Sequence, residues 1–236
     1  MITGKEKDTE MIIVDDNSRD GSEEAVNKLA KKYAVRIIVR TTERGLSSAV
    51  LRGFDEATGD YLLCMDADLQ HPPSSVPKLF RVFEPNSKSN TEGMIPEFVI
   101  GTRYGGQAVA IDKDWPLYRR IISSGARLLA YPLTPLSDPM TGFFALPRSV
   151  YKRANNVNPI GFKICMELYV KCGVQKHAEV PILFGVRTIG ESKLSSKVII
   201  GYLKHLKDLY WYRYPVALIL LLLLLLIVLF KMFGAK

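Results

Sequence analysis

Two carboxylates stand one residue apart at the point where an apolar run of the chain ends. Residues 61–65 form that run, Asp66 and Asp68 follow it, and Gln70 and His71 come close behind. A short apolar run is typical of a buried strand in a parallel sheet, and open α/β sheets bind ligands at the carboxyl ends of their strands. Hard oxygen ligands suit Mg²⁺ or Mn²⁺, with phosphate oxygens and water completing the shell. The spacing indicates a divalent-metal site for a nucleotide diphosphate, and the alternative is a solvated turn after a core strand.

A second polar loop follows an earlier strand. Residues 11–14 are compact and β-branched, and Asp15 and Asp16 begin the polar stretch after them. The next elements alternate: a helix over 23–33, a strand over 36–39, a helix from 45 to 57 and the strand over 61–65. This alternation predicts an α/β fold with a doubly wound, mostly parallel sheet and helices on both faces. The loops at Asp16 and Asp66 are then expected to open onto the same edge of the sheet.

Downstream of residue 70 the sequence predicts more helices and strands. The helices cover 76–83, 115–131, 163–172 and 198–214, and the strands cover 98–101, the segment entered from a turn at 138–145, and 178–186. Residues 84–96 have the composition of a surface insertion. On the second of these helices Arg119, Ser123 and Arg127 recur at intervals of four and share one face. That face either binds an anion or is ordinarily solvated.

The charge balance points to an anionic partner. The formal net charge is +8, which leaves nucleic acid, phosphorylated ligands and acidic membrane surfaces open. Nucleic acid is disfavoured because the basic residues are interleaved with a membrane anchor and not gathered on a groove-reading element. The three cysteines have no zinc-type spacing and cannot all pair, so a reducing, cytosol-facing environment is expected.

An uninterrupted leucine-rich run lies near the C-terminus, over residues 216–230. Fifteen helical residues span about 22 Å, short of a hydrocarbon core of about 30 Å, but flanking apolar residues lengthen the run and Lys231 can snorkel. The alternative is a buried core helix. We expect a catalytic domain over 1–197, an interfacial amphipathic helix over 198–214 rich in aromatic residues, and a single transmembrane anchor over 215–233.

Several of these segments resemble family 2 glycosyltransferases. The similar segments are VDDNS at 14–18, GLSSA at 45–49, MDADLQHPP at 65–73 and GTRY at 101–104. Two more, DPMTGFF at 138–144 and VRTIGESKL at 186–194, resemble the dolichyl-phosphate mannosyltransferases within that family, and the single C-terminal anchor is similar to their one-subunit forms. The resemblance runs in order from residue 11 to about residue 210.

The resemblance implies a reaction and a place in the cell. It implies a GT-A, Rossmann-like fold and inverting, metal-dependent transfer of mannose from GDP-mannose to dolichyl phosphate, which feeds protein glycosylation and GPI-anchor synthesis. The expected location is the endoplasmic reticulum membrane, with the catalytic domain facing the cytosol. The expected partners are GDP-mannose, dolichyl phosphate, Mg²⁺ or Mn²⁺ and the lipid bilayer, with no nucleic acid and no obligate protein partner.

The resemblance also implies residue roles. The family match places Val14 and Asp16 against the nucleoside. It places Asp66, Ala67 and Asp68 against the diphosphate. It also places Asp66, Asp68 and Gln70 on the metal. The positions that match phosphate-binding residues are Arg103, Arg187 and Lys193, and those that match the acceptor-phosphate site are Arg119 and Ser123. Asp68, Arg103 and Arg187 are thereby the candidate catalytic residues.

Two alternatives remain open. The first is a glucosyltransferase that makes dolichyl-phosphate glucose from UDP-glucose, against which the GESK element at 190–193 and the C-terminal anchor argue. The second is a truncated, non-catalytic membrane paralogue. The family begins with a strand ending in Pro-x-Tyr-Asn-Glu, which this sequence does not contain, so we expect a sheet that lacks a strand and part of the guanosine pocket. Asp138 and Glu167 are further candidates for sugar hydroxyl contacts, with a salt bridge or a cap as the alternative.

Overall fold

The computed structural model describes residues 9–85, 95–104, 117–159, 163–185 and 196–233. The strands are β1 (Met11–Asp15), β2 (Val35–Val39), β3 (Tyr61–Cys64), β4 (Phe98–Thr102), β5 (Phe144–Pro147) and β6 (His177–Pro181). The helices are α1 (Ser22–Leu29), α2 (Leu46–Glu56), α3 (Val76–Arg81), α4 (Leu117–Ala130), α5 (Arg148–Tyr151), α6 (Ile164–Lys171), α7 (Ser196–Arg213) and α8 (Pro215–Phe233). The strands and helices predicted from the sequence are confirmed, most with ends shifted by a few residues. The predicted insertion falls largely outside the described residues.

The strands form two separately paired sheets within the described part of the chain. β1 and β2 pair in parallel, and the other four strands are ordered β3-β5-β4-β6. In the larger sheet β4 and β6 are parallel, whereas β5 runs antiparallel to both β3 and β4. The prediction of a mostly parallel sheet is therefore wrong, because the sheet is mixed.

The return path after α4 explains the mixed sheet. The chain leaves β4 at its carboxyl end, passes through α4 and comes back to that same end, where Gly101 N donates to Phe143 O at 2.8 Å. β5 starts at that point, so it runs against β4. The turn over 138–143 is consequently placed beside the loop that follows β3.

The larger sheet lies at the centre of the core. All five residues of β4 are buried, as are Phe144, Ala145 and Leu146 of β5. α2 and α6 cover one face of this sheet through Phe54, Leu168 and their neighbours, and α3 covers the other. α2 also packs on β1, where Val14 lies 3.4 Å from the position that a Cβ on Gly53 would occupy. β1 is only half-buried by comparison.

The two C-terminal helices continue from the domain. Tyr202, Leu206 and Leu209 of α7 pack in a third apolar cluster with α4 and α6. α8 carries exposed apolar side chains, among them Val216 and Leu220. Among the residues that the structure describes, no helix is both long and apolar enough to cross a membrane. All three cysteines are unpaired thiols, and Cys64 is half-buried.

Candidate active site

The loop after β3 brings together the candidate metal ligands. Asp68 Oδ1 accepts a hydrogen bond from Gln70 N at 3.1 Å, and the Gln70 side chain donates to Gly185 O at 3.1 Å. Gly185 N in turn donates to Gln70 O at 2.8 Å. Leu69 adopts a left-handed backbone conformation with φ 60°. This conformation is uncommon for residues other than glycine, and such residues are often found at functional sites. The loop is therefore held between β3 and the segment after β6, with Ala67 inside its turn.

The carboxylate of Asp66 rests against a backbone surface. A Cβ on Gly142 would lie 2.5 Å from Asp66 Oδ2 and 2.8 Å from Oδ1, closer than real contacts permit. The same Oδ2 lies 3.8 Å from Nδ1 of His71. The Oδ2 atom of Asp66 therefore lies close to both Gly142 and the imidazole of His71.

His71 is almost completely buried, and its Nδ1 has no hydrogen-bond partner among the described residues. Its ring stacks on Phe143 at a centroid distance of 5.3 Å and meets Phe184 edge-on at 5.2 Å. Burial lowers the pKa of His71, although the charges of Asp66 and Asp68 oppose that effect. The imidazole is therefore neutral near pH 7.

Arg103 and Asp138 form a bidentate ion pair at the same place. Arg103 Nε and Nη2 donate to the two carboxylate oxygens of Asp138 at 2.7 and 2.8 Å. The Asp138 side chain is 2 % exposed and that of Arg103 is 24 % exposed. Burial alone would lower the pKa of Arg103, but the hydrogen bonds and charge of Asp138 outweigh it and the pKa is raised. Neither of these two hydrogen bonds uses Nη1, so that nitrogen can donate to an anion.

A hydrogen-bond network fixes the turn that carries Asp138. Ser137 donates to Glu179 through both its backbone N, at 2.7 Å, and its hydroxyl. The Ser137 hydroxyl also lies 2.7 Å from Thr102 Oγ1 at the end of β4. β4 and β6 together therefore set the position of the Arg103 partner.

The basic face of α4 approaches the site through one aromatic ring. Tyr104 lies under the guanidinium of Arg127, at 4.7 Å, and within 5.8 Å of that of Arg103. Ser123 lies one turn before Arg127 on α4 and is half-buried. Arg119 is placed on α4 one turn earlier, but its side chain lies outside the described residues.

Lys163, at the start of α6, is a cation that sequence reasoning missed. Burial, together with the charge of Arg103, lowers its pKa to about 8 against the opposing charges of Asp138 and Asp66. The side chain is thus within electrostatic reach of the ion pair and of the metal loop. A single lysine before a helical segment carries no distinctive motif, so only the tertiary structure reveals it.

The predicted nucleoside-binding residues lie in a separate group. Asp16 forms an ion pair with Arg40 and accepts from Gly45 N at 2.8 Å. Burial would raise the pKa of Asp16, but the Gly45 hydrogen bond and Arg40 lower it overall. Arg40, missed from the sequence, also donates to Ser48 Oγ at 2.8 Å. None of the contacts described for Asp16 is with Asp66. The prediction that the two loops open onto one edge of the sheet therefore stays a prediction.

The remaining predicted residues divide between two outcomes. Arg187 and Lys193 lie outside the described residues. Glu167 is buried in the contact between α6 and α7, where His205 Nε2 lies 2.6 Å from its Oε2. Glu167 is consequently part of a structural pair, whereas Asp138 belongs to the site.

Comparisons with known proteins identify the family. The family model described as glycosyl transferase family 2 matches residues 3–154. The dolichol-phosphate mannosyltransferase of Saccharomyces cerevisiae is 56% identical over 216 residues, covering 88% of this chain and 77% of the yeast protein. The protein of that name from Mycosarcoma maydis is 55% identical over 219 residues, covering 90% of this chain and 71% of its own length.

Solved structures share the fold at low identity. Glucosyl-3-phosphoglycerate synthase from Mycobacterium tuberculosis, crystallised with Mn²⁺, UDP-glucose and phosphoglyceric acid, has a TM-score of 0.55 at 20% identity, covering 83% of this chain and 68% of that one. Mannosyl-3-phosphoglycerate synthase from Rubrobacter xylanophilus has a TM-score of 0.56 at 16% identity, covering 88% and 64%. These similarities support a GT-A-like α/β fold.

Proposed function

Because the chain belongs to the family 2 glycosyltransferases and, within them, to the dolichol-phosphate mannosyltransferases, we propose that it transfers mannose from GDP-mannose to dolichyl phosphate. The family predicted from the sequence motifs is confirmed. The chain is an inverting glycosyltransferase, and its product is dolichyl phosphate mannose. We also propose the donor nucleotide, the metal and the roles of individual residues.

One observation carries the assignment of the reaction centre. The charges that act on His71 are those of Asp66, Asp68, Arg103 and Asp138, and those that act on Lys163 are Arg103, Asp138 and Asp66. The acidic loop and the cations therefore lie around one small region. A diphosphate leaving group requires carboxylates to hold a metal and cations to neutralise the departing charge.

The acceptor needs little activation. A dolichyl phosphate is already an anionic nucleophile, so no strong general base is required. The task of the protein is to bring two anions together, and Arg103 and Lys163 offset their repulsion. Arg119 and Ser123 on α4 are proposed to hold the acceptor phosphate, and Arg187 and Lys193 to contact the diphosphate.

The residues of the loop fit a divalent metal. No cluster of three or more His, Cys, Asp or Glu side chains suited to a metal occurs among the described residues. Mg²⁺, however, is commonly held by one or two carboxylates together with substrate phosphates. Asp66, close to Gly142, and Asp68 with Gln70 supply such an oxygen set. Mg²⁺ or Mn²⁺ bound there would act as a Lewis acid that stabilises the charge on GDP.

The nucleoside is proposed to lie toward β1. Val14 and Asp16 stand at the carboxyl end of that strand, and Arg40 holds Asp16 to the start of α2 at Gly45. The pKa of Asp16 is lowered, so its carboxylate is ionised and can accept hydrogen bonds from the guanine or ribose.

We also propose that the protein resides in the endoplasmic reticulum membrane, with the catalytic domain on the cytosolic side. The lipid nature of the acceptor and the leucine-rich run over 216–230 support this placement. Deleting residues 216–236 is expected to release the protein from membranes while GDP binding persists. Tight membrane association of the shortened protein would contradict the anchor.

A turnover assay tests the reaction. Membranes containing dolichyl phosphate and the full chain receive labelled GDP-mannose or labelled UDP-glucose, with Mg²⁺ or Mn²⁺. We expect labelled lipid from GDP-mannose and none from UDP-glucose. Asp68→Ala should abolish the product, whereas Asp60→Ala, which alters the residue before β3, should not. Product from UDP-glucose alone would overturn the mannose assignment, and no product with either donor would favour a non-catalytic paralogue.

A further inference from the structure

His71 is fixed in place beside the acidic loop by packing and not by hydrogen bonds at Nδ1. The ring lies between Phe143 and Phe184, and its side chain is 3 % exposed. Nδ1 has no hydrogen-bond partner among the described residues. A buried polar nitrogen without a partner is unfavourable, so its retention in an otherwise aromatic setting requires a reason.

The position of Nδ1 supplies that reason. It lies 3.8 Å from Oδ2 of Asp66, the oxygen that also faces Gly142. A shift of about 1 Å would bring the two atoms to normal hydrogen-bond length. The carboxylate of Asp66 already occupies the space that a Cβ on Gly142 would need, so it lies close against the backbone there.

The aromatic support of His71 is itself built into the sheet. A Cβ on Gly101 of β4 would lie 2.4 Å from the ring of Phe143, so only glycine lets that ring occupy its position. Phe143 then stacks on His71. The imidazole is consequently aimed at Asp66 by a contiguous set of contacts from β4.

We propose that His71 is a positioning residue that donates a hydrogen bond from Nδ1 to Oδ2 of Asp66 when a divalent cation and a nucleoside diphosphate are bound. The bond occupies Oδ2 and fixes the direction in which Asp66 presents its other oxygen to the metal. This inference rests on the metal site under the proposed function. Partners of this kind orient metal ligands, and their loss weakens metal affinity or activity by about 10- to 100-fold.

Three substitutions test the proposal. The side-chain amide of Asn places its NH₂ near the position of Nδ1, whereas Gln extends past it and Leu has no donor. We expect His71→Gln and His71→Leu to weaken Mn²⁺ affinity, measured by electron paramagnetic resonance of free Mn²⁺ in the presence of GDP, by about 10- to 100-fold. His71→Asn is expected to stay within about threefold of the original chain, since it keeps the donor.

Two controls separate positioning from folding. His177→Gln alters a histidine whose Nδ1 lies 3.2 Å from Tyr169 OH, away from the site, and should not change Mn²⁺ affinity. In an Asp66→Asn background, His71→Gln should cause no further loss, because the acceptor charge is gone. Thermal unfolding shows whether each variant folds, and the comparison of Asn with Gln holds even if His71→Leu does not.

The outcomes are distinguishable. If the original chain binds Mn²⁺ and His71→Gln binds it equally well, the role of His71 is overturned and the metal site stands. If His71→Asn and His71→Gln lose affinity to the same extent, position-specific donation is overturned. If the original chain with GDP binds no Mn²⁺, both proposals fail.

Discussion

The carboxylate of Asp66 occupies the space that a side chain on Gly142 would need. A Cβ at residue 142 would lie 2.5 Å from Asp66 Oδ2 and 2.8 Å from both Cγ and Oδ1. The turn over 138–143 and the loop after β3 are therefore fitted to one another at the level of single atoms. This relationship gives a direct test of the site.

Gly142→Ala is expected to displace Asp66 and to lower kcat/KM by about 100-fold, because a misplacement of about 1 Å at a reacting centre has effects of that size. The measurement is mannose transfer to dolichyl phosphate, with Mn²⁺ affinity as a second readout. Gly201→Ala is the matched control: it lies in α7 with nothing within 4 Å of the added Cβ. Full activity of Gly142→Ala would show that Asp66 does not act at its observed position.

The sequence predicted the secondary structure because the apolar periods and the Gly, Pro and Asp boundaries are local signals. The strand over 61–65, for example, is seen as Tyr61–Cys64. The mixed sheet was not predictable in this way. The direction of β5 depends on the path between Ala130 and Phe144, and no local pattern encodes that path.

The residues of the candidate site were predictable only where they belong to sequence motifs. Asp66, Asp68 and Arg103 belong to recognisable segments, and the structure places them close together. Lys163 and Glu179 reach the site through packing between elements distant in sequence, so neither spacing nor composition reveals them. His71 belongs to the same segment as Asp66, but its burial between two aromatic rings depends on the tertiary structure. Glu167 shows the reverse case, since a plausible polar residue proves to lie in a helix contact.

Arg103→Lys tests the bidentate pair with Asp138. Lysine keeps the charge but cannot hold Asp138 and a phosphate from separate fixed nitrogens, so one charge-assisted hydrogen bond to the donor phosphate is lost. Such a bond contributes about 1.5–3 kcal/mol, which corresponds to a decrease of roughly 10- to 100-fold in kcat/KM for the donor. Initial rates at low GDP-mannose concentration measure it.

The control for that substitution is Arg153→Lys. Arg153 forms a surface pair with Glu97 at 2.9 Å, remote from the site, and exposed pairs contribute little. We expect its kinetics to be unchanged. Equal activity of Arg103→Lys and the original chain would mean that the two-point contact has no part in donor binding.

Lys163 predicts a pH dependence of nucleotide binding. Burial lowers its pKa to about 8, so in the ligand-free protein it loses its charge as pH rises through that value. The phosphates of GDP stay ionised above pH 7, since their last pKa is about 6. GDP affinity with Mg²⁺ should therefore fall above pH 8, approaching about tenfold per pH unit. Isothermal titration calorimetry between pH 7 and pH 9.5 measures it.

Lys163→Arg should remove this fall, because arginine stays charged throughout the range. Lys171→Arg, at the other end of α6, should keep the profile of the original chain. If Lys163→Arg retains the decline, another group is responsible, and Lys163 does not contact the nucleotide phosphates.

The pair of Glu167 and His205 predicts a loss of stability without a loss of donor recognition. Both side chains are 2 % exposed, His205 Nε2 lies 2.6 Å from Glu167 Oε2, and Asn158 N donates to Oε1 at 2.8 Å. His205→Ala removes one partner of a buried polar pair and leaves a cavity between α6 and α7. We expect the free energy of unfolding to fall by roughly 3 kcal/mol. Urea denaturation monitored by circular dichroism measures the change.

His177→Ala is the control. It alters a half-buried histidine with a 3.2 Å contact to Tyr169 OH and should lower the free energy of unfolding by about 1 kcal/mol or less. KM for GDP-mannose should stay within about twofold in both variants at a temperature where each is folded, because neither residue touches the site. A selective rise of KM in His205→Ala would mean that the contact between α6 and α7 controls the position of Lys163.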